Sequence, residues 1–509
     1  MKYYVTGSIP YPNAKPHVGH SLEMVGADAA ARYHRLRGDD VRFCMGLDEN
    51  SQHVVTAARA ARLSPAEWVD RMDEAFRLAW RKLEVSNDVW IRTTNPVHAR
   101  TAQELFRRAQ GRGDVYKGSY AGWYCPNCNN YYAEEDLVDG RCPEHPSLRP
   151  QWLEEENYFF ALTRYESQLR ELVERRDFVV PAGRRSEVAA MLRSLRDFSV
   201  SRRVRDVPWG IPVPGDPSQA IYVWFDALSN YVTGAGFPDD LDSFRRYWPA
   251  DVHVIGKNIT RFHCLYWPAM LLSAGLEVPR QVAVHGFMTL EGQKISKSTG
   301  NLIDPVDLVD EFGADPVRYY LLREFSFGAD GDFSRARLLH RYNADLANDL
   351  GNLLNRETVM ALRYLGGELP APSAGSPADR EVAELANGLL ARVEAAVEAW
   401  DFPTALEAIW GLVRRANVYV EECEPWRLAR AAAGSAERAR LGVVLANLAE
   451  ALRVIAVLLA PFMPRTADRV MSQVGRPGVT PSALSRVGWG EGGAAPKVIG
   501  GEVLFPRRG

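Results

Sequence analysis

The chain has 509 residues, 46% of them hydrophobic and 25% charged, with a formal net charge of −3. That length is too great for one core and predicts several domains, while the composition is that of an ordinary soluble globular protein. The charge excludes a uniformly basic nucleic-acid binder, though not a local positive face.

No apolar run approaches the roughly 20 residues that span a bilayer. Met1-Lys2-Tyr3-Tyr4-Val5 reads as a strand, not a signal peptide, and a cytoplasmic location is expected. Arginine is strongly preferred to lysine: of only eight lysines, two are Lys294 and Lys297 and a third is Lys257. A compact ammonium on a flexible stem suits a mobile phosphate contact. Basic clusters at Arg184-Arg185, at Arg202, Arg203 and Arg205, and at Arg414-Arg415 read more readily as solvated helix faces than as RNA contacts.

Residues 2–8 alternate as a strand and end in the turn Thr6-Gly7-Ser8. Ile9-Pro10-Tyr11-Pro12-Asn13 cannot be helical, because each proline restricts itself and its predecessor. A helical pattern runs from His17 to Leu36 and stops at Gly38; Val41–Leu47 follows as a buried strand. Ser64-Pro65-Ala66-Glu67 is a capping box with proline at the first helical position. This alternation predicts a parallel α/β sheet. From Val115 to Val213 the pattern turns to short strands, turns and a cysteine cluster, which reads as an insertion. The α/β pattern resumes with Ala220–Phe225, Val252–Ile255, a helix around Phe262–Leu272 and the strand Gln281–His285. After Phe333 apolar residues recur at helical spacing almost to the end.

Three constellations carry chemistry. His17-Val18-Gly19-His20 opens a helix after a strand, where free N–H groups and the helix dipole favour a phosphate and Gly19 allows close approach. Lys294-Ile295-Ser296-Lys297-Ser298 lies in a polar, glycine-flanked loop, and its two lysines can neutralise a triphosphate. Cys125-Pro-Asn-Cys128 and Cys142-Pro-Glu-His145, thirteen residues apart, offer four ligands for one tetrahedral structural zinc ion with no open position. Cys44, Cys264 and Cys423 are isolated and read as buried thiols.

The histidine and lysine motifs, in this order and context, resemble the HIGH and KMSKS signatures of the class I aminoacyl-tRNA synthetases. Ile295 stands where the second motif usually has methionine. Over essentially the whole chain the resemblance is to the methionyl-tRNA synthetase family. It implies a Rossmann-like nucleotide-binding catalytic domain at 1–114 and 216–290, split by a connective insertion at 115–215 with its zinc knuckle at 125–145. A signature loop and stem-contact linker at 291–335 and an α-helical anticodon-binding domain at 336–509 would follow.

The resemblance also implies roles for individual residues. His17, His20, Lys294 and Lys297 would be catalytic, and Gly19, Gly256, Lys257 and Ser296 would join them in binding ATP. Asp48 would receive the α-ammonium of methionine; the competing reading is a cap for the next helix. Ile9, Tyr11, Trp224, Ala227, Leu228, Tyr231, Phe262, His263 and Trp267 would form the methionine pocket; by pattern alone, aromatics at helical spacing read as core. Some family members have proline at the place of Leu228. Asn352, Arg356 and Trp426 would read the anticodon, where pattern alone gives a solvated helix face.

The implied reaction is activation of L-methionine by ATP with Mg²⁺, then transfer to tRNA(Met) by a monomer. An enzyme for another amino acid, an idle RNA-binding paralogue and a zinc-ribbon RNA-binding protein are the rival readings.

Overall fold

The computed structural model describes all residues except 126–129, 144, 206, 291, 295–301 and 494–496. Five segments become strands, four of them with nearly continuous burial towards their ends, the signature of a parallel sheet covered on both faces, while the edge strand Val89–Arg92 is half-buried throughout. They are β1 (Lys2–Gly7), β2 (Asp40–Leu47), β3 (Val89–Arg92), β5 (Val252–Gly256) and β6 (Gln281–His285); the short β4 is Val179–Val180. The order across the sheet is β3-β2-β1-β5-β6-β4, all parallel. Strand order therefore reverses between β1 and β5, and the crevice at the carboxyl ends of these two strands is where such sheets bind ligands.

Helix α1 (Val18–Arg37) returns from β1 to β2 and ends on Gly38, whose φ of 94° is costly for any residue with a Cβ. The capping box at Ser64 forms, and its helix runs Pro65–Lys82. Helix α2 (Pro96–Gly111) leads into the insertion. Its main sheet is antiparallel, in the order Asn130–Tyr132, Val115–Cys125, Gln151–Phe160, Phe198–Ser199. Within 115–215 the chain also dips back to the catalytic sheet, because β4 pairs with Val282 and Ala283 of β6.

The apolar segment Ala220–Phe225, expected to resume the α/β pattern, is divided. Its first residues end a strand of a small antiparallel sheet (Asp216–Ile221), and Val223 starts helix α3 (Val223–Leu228), followed by α4 (Asn230–Ala235). Phe262–Leu272 is also not uniform: Phe262–Tyr266 is a π turn and Trp267–Ser273 is α-helical. Such π turns often mark functional sites.

Beyond the sheet, helix α5 (Ala314–Glu324) leads towards the helical bundle, which includes α6 (Asn352–Leu365), α7 (Phe402–Cys423) and α8 (Ala436–Leu459). Helix α8 is long and apolar enough to cross a membrane, but 94% of its apolar window is buried within the protein. Arg318 of α5 joins the two halves. It is fully buried, pairs with Asp28 of α1 at 2.7 Å and donates to the carbonyls of Leu83, Pro461 and Phe462.

Candidate active site

His17 is the N-cap of α1, and a capping box forms from two imidazoles. Its Nδ1 accepts the Gly19 N–H at 3.2 Å, while the His17 N–H donates to His20 Nδ1 at 3.2 Å. Each ring therefore carries its proton on Nε2, as a donor. Burial holds His17 down to about 4 and His20 well below the usual imidazole range, with further lowering of His20 by the charges of His17 and His285. Both are neutral donors at neutral pH. A Cβ on Gly19 would lie 2.9 Å from the His17 ring, so glycine leaves room for this arrangement.

The backbone is held on both sides of residues 295–301, which carry most of the lysine motif. The backbone of Gln293–Lys294 pairs antiparallel with Met288–Leu290, which in turn lies parallel to Gly331–Phe333. Past the motif, Ile303 accepts the Val18 N–H at 3.0 Å, occupying one of the first free donors of α1. The chain leaving the second motif is thus tied to the start of the first. Ser296 and Lys297 lie outside the described residues.

At the end of β2, Asp48 is 2% exposed and its Oδ1 has no hydrogen-bond partner. Burial, followed by the charges of Asp226 and Glu49, pushes its carboxyl well above the usual range. The Asp48 N–H donates to Pro10 O at 3.1 Å, which fixes Ile9-Pro10-Tyr11 beside it. A buried carboxylate without a partner is costly unless a cation arrives. The helix-cap alternative does not hold for the helix that follows, since Ser51 caps Gln52–Ala60.

The aromatic candidates pack against one another. Trp224 stacks on Phe262 with ring centroids 3.6 Å apart and planes 6° apart, and Tyr11 lies edge-on to Trp224 at 6.4 Å. Ile9, Tyr11, Trp224 and Phe262 are partly exposed, whereas Ala227, Leu228, Tyr231, His263 and Trp267 are buried. His263 Nδ1 donates to Ile259 O at 3.0 Å, so its Nε2 accepts the Tyr231 hydroxyl at 2.6 Å. Burial lowers His263 to about 4 and keeps it neutral. Trp267 donates to His253 Nε2 at 3.1 Å and stands behind Tyr231. The resulting wall is apolar and polarizable, with no free charge.

Gly256 ends β5, where a Cβ would meet Asn258 Oδ1 at 2.8 Å. Lys257 is already engaged: its Nζ lies 2.6 Å from Asp330 Oδ2 and over the Phe287 ring. Several buried polar residues escaped the sequence reading. Glu23 accepts the Ser8 N–H at 2.7 Å and meets His285 Nε2 at 3.0 Å, beneath the turn leaving β1. Asp226 and His98 lie 2.6 Å apart with no exposure. Only an acidic residue inside an otherwise apolar helix, such as Asp226 in Val-Trp-Phe-Asp-Ala-Leu, hinted at such a partner.

In the insertion, Cys125, Cys142 and His145 bring their ligand atoms within 4.8 Å of one another, both cysteines fully buried. Cys142 Sγ and His145 Nδ1 are 3.8 Å apart. Cys128 lies outside the described residues. Of the isolated thiols, Cys44 and Cys264 are buried and Cys423 is partly exposed. In the bundle, Asn352 begins α6 exposed, and the Arg356 guanidinium carbon lies 5.6 Å from the ring centroid of Trp426, which is on the short helix Pro425–Leu428. Arg356 also pairs with Glu421 at 2.7 Å. The three anticodon candidates thus map to one region of the bundle, Arg356 and Trp426 in contact.

Comparison with known proteins decides the family. Residues 3–148 and 146–358 match the family model for tRNA synthetases class I (M), and 379–490 match the anticodon-binding domain of tRNA ligase. The methionine–tRNA ligase of Caldanaerobacter subterraneus is 46% identical over 99% of this chain and 78% of its own length. The chain belongs to the methionyl-tRNA synthetases. The methionine–tRNA ligase of Mycobacterium bovis is 43% identical over 99% of this chain and 98% of its own. The Mycobacterium tuberculosis methionyl-tRNA synthetase in complex with methionyl-adenylate superposes with a TM-score of 0.94 at 42% identity, covering 99% of this chain and all of that one. The class I catalytic domain with its parallel sheet and the helical anticodon-binding domain are accordingly those of this family.

Proposed function

We propose that the cleft between α1 and β5 carries out the reaction of a methionine–tRNA ligase. One methionine carboxylate oxygen attacks the α-phosphorus of ATP; the bond to the bridging oxygen breaks, leaving methionyl-adenylate and pyrophosphate. The 2′-hydroxyl of the terminal adenosine of tRNA(Met) then attacks the acyl carbon and AMP departs. The observation that carries this reading is the Val18–Ile303 hydrogen bond, which ties the chain five residues past the lysine motif to the histidine helix end.

Each group has a role in that scheme. Asp48 takes the α-ammonium, and Ile9, Tyr11, Trp224, Ala227, Leu228, Tyr231, Phe262, His263 and Trp267 form or back the thioether wall, where sulfur gains from aromatic contact. The Nε2–H donors of His17 and His20, with the ammonium groups of Lys294 and Lys297, meet charge developing on the phosphates; no side chain acts as a covalent nucleophile. Gly19 and Gly256 admit the nucleotide, with Ser296 beside it; Lys257 contributes there once released from Asp330. ATP enters as its magnesium complex, which screens the pyrophosphate.

A zinc ion fits the insertion cluster, because ligands about 2.3 Å from the metal sit about 3.8 Å apart in a tetrahedron. Cys125, Cys142 and His145 would hold it with Cys128, closing a structural site. Asn352, Arg356 and Trp426 would read the anticodon by stacking and donor contacts. The enzyme is read as a cytoplasmic monomer, with the domain limits given above.

ATP–pyrophosphate exchange with each of the twenty amino acids tests the reading. Exchange with methionine alone is expected. Exchange with a different amino acid would reassign the pocket, and none from folded protein would leave an idle RNA-binding paralogue.

A further inference from the structure

The loop that follows the carboxylate proposed to hold the ammonium is joined to the helix proposed to form the thioether wall by a buried polar chain. Asn50 lies two residues past Asp48 on the same loop and is 4% exposed. Its side-chain Nδ2 has two hydrogens. One goes to Asp226 Oδ2 at 2.8 Å and the other to Thr93 O at 3.1 Å. Asp226 lies on α3, between Trp224 and Ala227 of the pocket wall, and its other oxygen meets His98 Nε2. His98, from α2, reaches on to Thr233 Oγ1 of α4 at 3.2 Å, and that hydroxyl donates to Ser229 O. Neither Asp226 nor His98 is exposed, so water does not compete for these bonds. Thr93 fixes the other side of the loop by accepting the Glu49 N–H at 2.8 Å, and the Trp209 ring N–H donates to Glu49 O at 3.1 Å.

We propose that Asn50, Asp226 and His98 are positioning residues that set the distance between the Asp48 carboxylate and the thioether wall, and so select the length of the amino-acid side chain. The inference rests on the pocket reading above. A methionine clamped at its ammonium by Asp48 presents its sulfur at one depth only. With α3 pinned to the β2 loop, the wall cannot retreat for a longer side chain. Loss of the link lets α3 shift, and a change of one methylene in an apolar pocket alters discrimination by about tenfold or more. The function of Asp226 here is geometric. Asparagine at 226 satisfies the same partners, its Oδ1 accepting from Asn50 and its Nδ2 donating to His98 Nε2 in the neutral ring.

The test is pyrophosphate exchange with methionine and its S-ethyl homologue, on the full chain carrying Asn50→Ala, Asp226→Ala, Asp226→Asn or Asp48→Asn, with thermal unfolding recorded for each. Asn50→Ala and Asp226→Ala are expected to raise the methionine KM about tenfold, leave the ATP KM within about twofold, and shift preference towards the S-ethyl homologue by about tenfold. Asp226→Asn is expected to restore wild-type KM and preference. Unchanged methionine KM and preference in folded Asn50→Ala overturns the proposal even if Asp226→Ala does not fold. Loss of discrimination in Asp226→Asn equal to that in Asp226→Ala also overturns it, since charge would then be the operative property. Asp48→Asn separates the two levels: if it leaves the methionine KM intact, the pocket reading itself fails and the positioning role with it.

Discussion

Each imidazole of the His17–His20 pair gives its Nδ1 to a backbone N–H, and the two rings lie 3.9 Å apart. Two consequences follow for the chemistry. The tautomer is fixed before substrate arrives, so no proton need move when charge develops on the phosphates. Burial also keeps the rings neutral, so they act as hydrogen-bond donors and not as cations. Asparagine at 20 reproduces the Nδ1 acceptor and preserves the cap, but removes the Nε2 donor. His20→Asn is therefore expected to fold with an unchanged Tm and an unchanged methionine KM. Its rate of adenylate formation should fall on the order of 100-fold, the usual cost of one preorganised donor. Pyrophosphate exchange beside a melting curve checks this, and a full rate in the folded variant removes His20 from the mechanism.

Helix α6 presents Arg356 towards Trp426 on one face and buries the adjacent Glu357 on another. Neither Glu357 carboxyl oxygen has a hydrogen-bond partner, and burial alone pushes the group up to about 8. The sign of the linkage is definite. The folded state holds the proton more tightly than the unfolded chain, so this site's stability is fully present below the ordinary carboxyl range. It is lost as pH rises from there through about 8. Glu357→Gln keeps the shape without the charge and is expected to raise stability at pH 8, by on the order of 1–3 kcal/mol, and to do so much less at pH 5. Urea unfolding at the two pH values decides it. The helical pattern read through Leu353 and Leu362 agrees with α6, yet nothing in that pattern marked Glu357 as inward. The same limit applies to the α3 segment. Its length and apolar content fit a strand, and what makes it a helix is tertiary: Asp226 bonds to His98, 128 residues away, and to Asn50, 176 away. The histidine, lysine and cysteine motifs stand out in the sequence because the residues of each lie a few positions apart. The polar link behind the pocket does not, because each partner looks ordinary in its own segment.

Across the whole molecule the two proposed sites sit on different bodies of structure, the amino-acid and nucleotide groups on the parallel sheet and the anticodon groups on the bundle. Arg318 holds the bodies together from a fully buried position, with Asp28 on the helix that begins at His17 and with carbonyls at the end of α8. Arg37–Glu398, Arg323–Glu407, Arg465–Glu84 and the Trp400–Gln281 hydrogen bond also join them, and none of these contacts involves Asn352, Arg356 or Trp426. Amino-acid activation should then be separable from tRNA selection. Arg356→Ala and Trp426→Ala each remove one partner of a guanidinium–indole contact that is partly open to solvent, and a stacking platform of that kind is worth about 1–3 kcal/mol per base. Each variant is expected to leave methionine-dependent pyrophosphate exchange at the wild-type rate while kcat/KM for tRNA falls by about ten- to a hundredfold. The defect should be largest for tRNA carrying the methionine anticodon and nearly absent for a minihelix of the acceptor stem alone. If minihelix charging falls by the same factor as full-length tRNA, the contact acts through the fold and not through the anticodon, and the bundle face around Arg356 is not the reading surface.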